Sequence, residues 1–248
     1  MKLITILSYN IGHLCLLKPW KHIPIWSQGK VFFWHKDIPF IQSIVKKIKP
    51  DIVFLQELTS EQNVEFLADK LGFQYFSYCK VSHLTKQNLG TGILHNFKNA
   101  QIKITKSEVS LHSLCWDEYI FTTVHLDPFS THHRTEQVKA MVSYVQKNPK
   151  SKHIIGGDFN LGTWKGRWLN KRDSLSYKLL TSVLHDATNS ISSTHIIGNK
   201  LDYILTSPDI SVRSTHCMTK VHGSMDHYPV STVIDIEERD KKDIVMTK

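Results

Sequence analysis

The chain predicts an α/β protein of roughly ten strands in two sheets, with a few outer helices. Two observations carry this. Strand-length apolar runs alternate with segments of helical periodicity, and several of those runs are apolar on both faces, as in sheets covered by helices. A third sets the scale: 248 residues, 41% hydrophobic and 21% charged, suit one globular domain that buries a full core without covalent staples.

The first strand is LITIL, where Leu3, Ile4, Ile6 and Leu7 read as buried on both faces. Thr5, Ser8 and Asn10 break the apolar run, so it is too short for the core of a signal peptide. Residues 38–48 follow as a helix, with Ile38, Ile41, Ile44, Val45 and Ile48 on one face, Asp37 as cap, Pro39 in the first turn and Pro50 as stop. IVFLQ (52–56) is the next buried strand. Thr59 or Ser60 starts a second helix with Phe66, Leu67 and Leu71 inward and Gly72 at its end.

The middle reads as short strands at 73–79, 90–97, 101–110 and 118–126. A long helix at about 132–147 turns Val138, Met141, Val142 and Val145 inward, and His132 and His133 at its start read as solvated. The strand HIIGG (153–157), a helix near 174–184 and three strands near 202–206, 211–218 and 229–235 complete the pattern. Residues 1–236 are expected to form the domain and 237–248 a charged tail.

No apolar run approaches the ~18–20 residues that span a bilayer. The four cysteines, Cys15, Cys79, Cys115 and Cys217, form no CxxC pair and have no zinc-ligand spacing. A cytoplasmic monomer is the expectation. The formal charge of +9 favours an anionic partner, nucleic acid or an acidic membrane surface.

The informative polar groups fall where apolar strands meet loops. Asn10 ends the first strand and Glu57 follows IVFLQ. His125 ends FTTV, while Asp158 and Asn160 follow HIIGG. Asp202 opens DYIL, and Asp226 and His227 precede PVSTVI. Turn formation explains an isolated Asn or Asp there, but Glu and His are not turn residues. Carboxylate and amide oxygens form a hard ligand set, suited to Mg²⁺ or Mn²⁺. With a cation at Glu57, Asp158 can deprotonate water, and His227, oriented by Asp202, can donate to a phosphoryl oxygen. Asn10 and Asn160 then position the phosphate.

SYN (8–10), PDIVFLQE (50–57), GTGIL (90–94), GGDFN (156–160), LDYIL (201–205) and MDHYPV (225–230) together resemble the endonuclease/exonuclease/phosphatase superfamily over about 1–236. That superfamily includes DNase I-like nucleases, AP endonucleases, sphingomyelinases, inositol 5-phosphatases and deadenylases. The resemblance implies a DNase I-like four-layer α/β sandwich, two mixed sheets packed face to face with flanking helices. It implies Glu57 as principal metal ligand, Asp226 as a carboxylate near the metal and Asn10 as a site amide. Asp158 is implied as the water-activating acid, Asn160 as its phosphate-binding neighbour, Asp202 as the acid supporting the catalytic His227, and His125 as a further catalytic histidine. The Trp-Cys-Asp-Arg signature of inositol 5-phosphatases is missing, and LDYIL stands in its place.

Two segments combine cations and aromatics. Residues 11–36 hold Lys18, Lys21, Lys30 and Lys36 with Trp20, Trp26, Phe32, Phe33 and Trp34. Residues 161–172 hold Lys165, Arg167, Lys171 and Arg172 with Trp164 and Trp168. Neither contains an acid, and they carry five of the six tryptophans. Because they follow Asn10 and Asn160 directly, both are expected as loops at the site's mouth. The mixture suits base stacking with phosphate contacts, and it also suits an anionic lipid interface. The expected function is a Mg²⁺-dependent phosphodiesterase, with a nuclease favoured by charge. A phospholipid or inositol-phosphate phosphodiesterase or phosphatase is the alternative. A catalytically inactive binding module is disfavoured, because Glu57, Asp158 and His227 are all present.

Overall fold

The computed structural model describes residues 1–12, 38–81, 89–164, 166–220 and 225–237. Most of the first basic segment, Asp37, Cys15, Lys165 and residues 238–248 of the charged tail lie outside the described residues.

The elements run β1 (Lys2–Asn10), α1 (Ile38–Ile48), β2 (Ile52–Leu58), α2 (Glu61–Leu71), β3 (Tyr75–Lys80), β4 (Gly90–His95), β5 (Gln101–Lys106), β6 (Ser110–Trp116) and β7 (Tyr119–His125). They continue with α3 (Thr131–Lys147), β8 (Lys152–Trp164), β9 (Arg167–Trp168), α4 (Lys171–Thr181), β10 (His185–Asp186), β11 (Asn199–Thr206), β12 (Val212–Cys217) and β13 (Val230–Ile236). One sheet has the order β12-β13-β1-β2-β4-β3. The other has β10-β11-β8-β7-β6-β5, with β9 paired to β8. β1 and β2 are parallel, as are β7 and β8; β1 and β13, and β8 and β11, are antiparallel.

Strand alternation builds the layers. On β1 and β2, Leu7, Tyr9, Val53 and Leu55 face α1 and α2, meeting Ile41, Ile44, Val64 and Leu67. Their neighbours Ile4, Ile6, Ile52 and Phe54 face the second sheet and meet Leu114, Phe121, Ile154 and Ile204. On that sheet's far side, Val124, Ile155, Tyr203 and Leu205 pack against Val138 and Met141 of α3 and Leu180 of α4. The order is helices, sheet, sheet, helices. Both central sheets are therefore covered on two faces, which explains the near-continuous apolar runs.

Helix ends follow local chemistry. Ser60 caps α2 by accepting from Asn63 N, and Ser130 caps α3 by accepting from His133 N. His133 is exposed, and its Nδ1 lies 3.2 Å from Asp127 Oδ2. Buried Arg134 of α3 grips Asp173 of α4 through Nε (3.1 Å) and Nη2 (3.0 Å). This bidentate pair fixes the two helices against each other. Among the described residues, no helix is long and apolar enough to cross a membrane.

Three strands go beyond what periodicity reveals. β6 is hidden because buried His112 and Ser113 interrupt its apolar alternation; β9 and β10 are two-residue strands with too little sequence for a pattern. β8 also runs seven residues beyond HIIGG, to Trp164.

His112 links the two sheets. Its Nε2 lies 2.7 Å from Ser77 Oγ on β3, and its Nδ1 lies 3.2 Å from Thr91 Oγ1 on β4. Burial pushes its pKa down to about 3, and burial likewise holds His95 near 4. Both are neutral in the native state at neutral pH. Below the unfolded value of ~6.5 the unfolded chain takes up protons that the native chain refuses. Stability is therefore full above pH ~6.5 and is lost as pH falls toward the native values. Urea midpoints measured between pH 7 and 4.5 should fall steeply for the parent and less steeply for His112→Gln. Equal slopes would remove His112 as a cause.

Candidate active site

The two sheets bring polar groups to one place, from the ends of β1, β2 and β7 and from within β8 and β11. Asn10 closes β1 and pairs with Gln56 of β2, which sets it beside Glu57. In the second sheet the register aligns His125 of β7 with Asp158 of β8, and Asp158 with Asp202 of β11. Residues directly opposite on adjacent strands share a face, so these three side chains stand in a row. Asp226 and His227 enter just before β13. Separations of more than 200 residues in sequence thus close to a few ångströms.

Asp158 sits at the centre and is buried. Its Oδ2 accepts from Asn10 Nδ2 at 3.0 Å and lies 3.6 Å from His227 Nε2 and 3.7 Å from His125 Nε2. Its Oδ1 accepts from the Asn160 backbone N–H at 2.8 Å. His227 Nδ1 is 2.8 Å from Asp202 Oδ2. Asn10 Nδ2 also donates to Glu57 Oε1 at 3.2 Å, and Asn10 Oδ1 accepts from Gly12 N–H at 2.9 Å. Both Asn10 amide protons are thereby used in holding two carboxylates. Asn160 Nδ2 donates to Leu126 O at 3.0 Å, which leaves its second amide proton for a ligand.

The electrostatics follow from crowding. Burial raises the Glu57 carboxyl to about 7; His227 and the Asn10 hydrogen bond oppose this, while Asp158 and Asp226 add to it. Burial also raises Asp158. Burial alone would lower His227, but Asp202 and Asp158, the Asp202 hydrogen bond and Asp226 together raise it to about 10. Without a bound cation, His227 is an imidazolium with Nδ1–H on Asp202 and Nε2–H facing Asp158.

Several backbone irregularities aim these groups. Glu57 has φ 63° and lies at a bulge between Gln56 and Leu58. The extra residue turns its carboxylate out of the ladder. Gly157, at φ 145°, adopts a conformation rare for other residues, and a Cβ there would strike Val124 O. Asn160 follows at φ 50°. Gly12 faces Glu57 so closely that a Cβ would overlap Oε2. Sequence reasoning misses Gly12 because its role is the space it leaves, not a group it presents.

The residues fit a hard divalent cation. Glu57, Asp158, Asp202 and Asp226 supply oxygen donors, and Asp202 Oδ1 is buried without a hydrogen-bond partner among the described residues. Ligand atoms of Asp158, Asp202 and His227 lie within 4.8 Å of one another, as do those of His195, Asp226 and His227. His195 is the other residue that sequence reasoning misses. It lies in a loop before β11, in a stretch with no apolar strand to mark a strand end.

Most of the described part of the second basic segment is strand or helix rather than loop. Leu161, Gly162 and Thr163 are buried as β8 continues, because Trp164 still pairs with Asn199 of β11. β9 then returns along β8, with Thr163 opposite Trp168. Lys171 and Arg172 are exposed in the first turn of α4, and Arg167 is exposed beside the turn. Trp168 packs against Tyr177 with ring centroids 5.0 Å apart, whereas Trp164 is 51% exposed. Six residues of strand put Trp164 at most ~20 Å from Asp158.

The positive φ at Glu57 and its raised carboxyl mark a site held at a cost in stability. Glu57→Gly should therefore raise the unfolding free energy by roughly 1 kcal/mol, the lower end of the strain relieved. A denaturant titration showing a loss instead would mean that the Asn10 hydrogen bond outweighs the strain.

Comparison with known proteins bears on the fold and the family. No curated protein sequence matches the chain. Among solved structures, the mannosyl-6-phosphatase Bt3783 of Bacteroides thetaiotaomicron superposes with TM-score 0.68 at 16% identity, covering 94% of this chain and 100% of that one. An AP endonuclease from Archaeoglobus fulgidus gives 0.69 at 15% identity, covering 94% and 100%. D. rerio TDP2 complexed with a single-strand DNA product gives 0.66 at 14%, covering 95% and 100%. At these identities the structures share the fold. The sequence model of the Endonuclease/Exonuclease/phosphatase family matches residues 7–229, nearly the whole chain. The chain belongs to the endonuclease/exonuclease/phosphatase family of phosphoester hydrolases.

Proposed function

We propose that this protein is a Mg²⁺-dependent phosphodiesterase acting on nucleic acid. The observation that carries the reaction class is the buried Asp158 carboxylate, with Asn10 bonded at 3.0 Å and the His227 and His125 imidazoles within 3.7 Å. Asp158 takes the proton of the attacking water. Its Oδ1 bond to the Asn160 N–H and Oδ2 bond to Asn10 fix the lone pairs it presents. His227, held at Nδ1 by Asp202, directs Nε2–H to a phosphoryl oxygen as charge develops there. The remaining Asn160 amide proton contacts a second phosphoryl oxygen, and His125 supports Asp158 and Glu57 from the β7 side.

Glu57 and Asp226 would hold the cation. When bound, Mg²⁺ polarises the phosphoryl group and offsets charge on the leaving oxygen, and Mn²⁺ suits the same oxygens.

Nucleic acid is supported by exposed Trp164, Arg167, Lys171 and Arg172 on one hairpin and helix start, a mixture that stacks bases and pairs phosphates. The similarity to an AP endonuclease and to a DNA-bound TDP2 supports the same reading. A phospholipid headgroup is the second reading. It is favoured by the exposed aliphatic side chains Leu169 and Ile197, 54% exposed each, which neither stack on bases nor bind phosphate.

His227→Gln and Asp158→Asn should each reduce kcat by ~10²-fold or more on a phosphodiester substrate with the fold intact. Turnover near the parent's in either variant removes that residue's assigned role. EDTA should stop the reaction and Mg²⁺ or Mn²⁺ should restore it; activity that survives chelation refutes the metal dependence. Replacing Lys165, Arg167, Lys171 and Arg172 with Ala should weaken single-stranded DNA binding and flatten its salt dependence by about 0.7 for each phosphate no longer neutralised. An unchanged salt slope with intact sphingomyelin or phosphoinositide turnover would favour the lipid reading.

A further inference from the structure

His195 has a defined place beside the site and no role in the chemistry above. It is buried, and its backbone forms a bridge with His227. Two hydrogen bonds close that bridge: Ile196 N–H to Asp226 O at 2.9 Å, and Tyr228 N–H to Thr194 O at 2.7 Å. Thr194 Oγ1 also accepts from Leu201 N–H (2.9 Å) and Asp202 N–H (3.0 Å). The segment 194–196 therefore ties the backbone of Asp202 to the backbone that carries Asp226 and His227.

The side chain adds a second constraint. His195 Nε2 lies 3.1 Å from Asp226 Oδ2, and its Nδ1 accepts from Ile197 N–H at 3.3 Å. An imidazole that accepts at Nδ1 carries its proton on Nε2. That proton points at Asp226, so the same nitrogen has no lone pair for a metal, although its position would suit one. The ring also meets the His227 ring edge to face, centroids 4.8 Å apart at 86°. Asp226 acts electrostatically on both Glu57 and His227. Its orientation thus bears on the cation side and the histidine side of the site together.

We infer that His195 is a positioning residue. It donates Nε2–H to Asp226 Oδ2 and braces the His227 ring, leaving the other Asp226 oxygen to face the cation. The inference rests on the role proposed for Asp226, and the measurements below separate its failure from that of the proposed reaction.

The full-length, metal-free protein is studied first by ¹⁵N–¹H correlation of imidazole nitrogens. The His195 proton is expected on Nε2; a proton on Nδ1 overturns the assignment whether or not any phosphodiester is turned over. Two variants then divide packing from hydrogen bonding. His195→Phe keeps a flat ring against His227 but removes the donor. His195→Gln restores an N–H at the Nε2 position. Mn²⁺ binding, read by loss of the free-ion EPR signal, should weaken ~10-fold or more in His195→Phe and recover most of that loss in His195→Gln. On a phosphodiester that the parent cleaves, kcat should fall in the same order with KM little changed. Parent-like Mn²⁺ binding in His195→Phe, or equal impairment in both folded variants, overturns the inference. If neither variant folds by circular dichroism, the tautomer in the parent decides.

Discussion

One buried carboxylate organises this molecule. Asp158 lies on the central strand β8 of one sheet and is gripped by Asn10 from β1 of the other. An ionised carboxylate in a packed interior is costly unless its oxygens are bonded and its charge is balanced. Both conditions are met only when the two sheets sit face to face in the observed register. The Asn160 N–H, the Asn10 amide and the His227 imidazolium each come from a different part of the chain. The apolar layer between the sheets supplies the attraction, and Asp158 makes one alignment of those sheets better than a shifted one.

The same demand explains where the backbone departs from regularity. Glu57 and Asn160 lie at φ 63° and 50°, one at a bulge and one just past Gly157. Regular strands would alternate these side chains between the two faces of a sheet. The irregular positions re-aim them toward a common point, and Gly12 leaves the space into which Glu57 turns. These features oppose stability locally and are held by the surrounding layers. Catalytic geometry is therefore supported by core packing distant from it: Phe54 and Ile154 matter to Asp158 because they set the distance between its sheet and that of Asn10.

Legibility in the sequence divides along the same line. The helices at 38–48 and after Ser60 are readable because their apolar spacing and caps are local. Asn10, Glu57, His125, Asp158, Asp202 and His227 stand out because so many acids, amides and histidines fall where apolar runs meet loops, and Glu and His are not turn residues. β6 is not readable, since the side chains of its buried His112 and Ser113 find partners on strands β3, β4 and β7. The second basic segment reads wrongly as a loop because nothing within it reveals that β11 will pair with Trp164. His195 gives no local signal, because its importance lies in contacts with Asp226 and His227 about thirty residues away.

The amino-acid sequence by itself determined the class of fold, the order of most elements and the chemical identity of the converging groups. It did so because amphipathic period, capping and strand-end chemistry are written in adjacent residues. Only the tertiary structure decided which groups touch, which amide protons are already used, how the His227 charge is set and what braces Asp226. Those outcomes depend on register, close approach and burial, and each arises from residues far apart in the chain. The charge excess shows the same division. Composition establishes that it exists, while folding places Arg167, Lys171 and Arg172 on an exposed hairpin and helix start and turns Trp168 inward to pack.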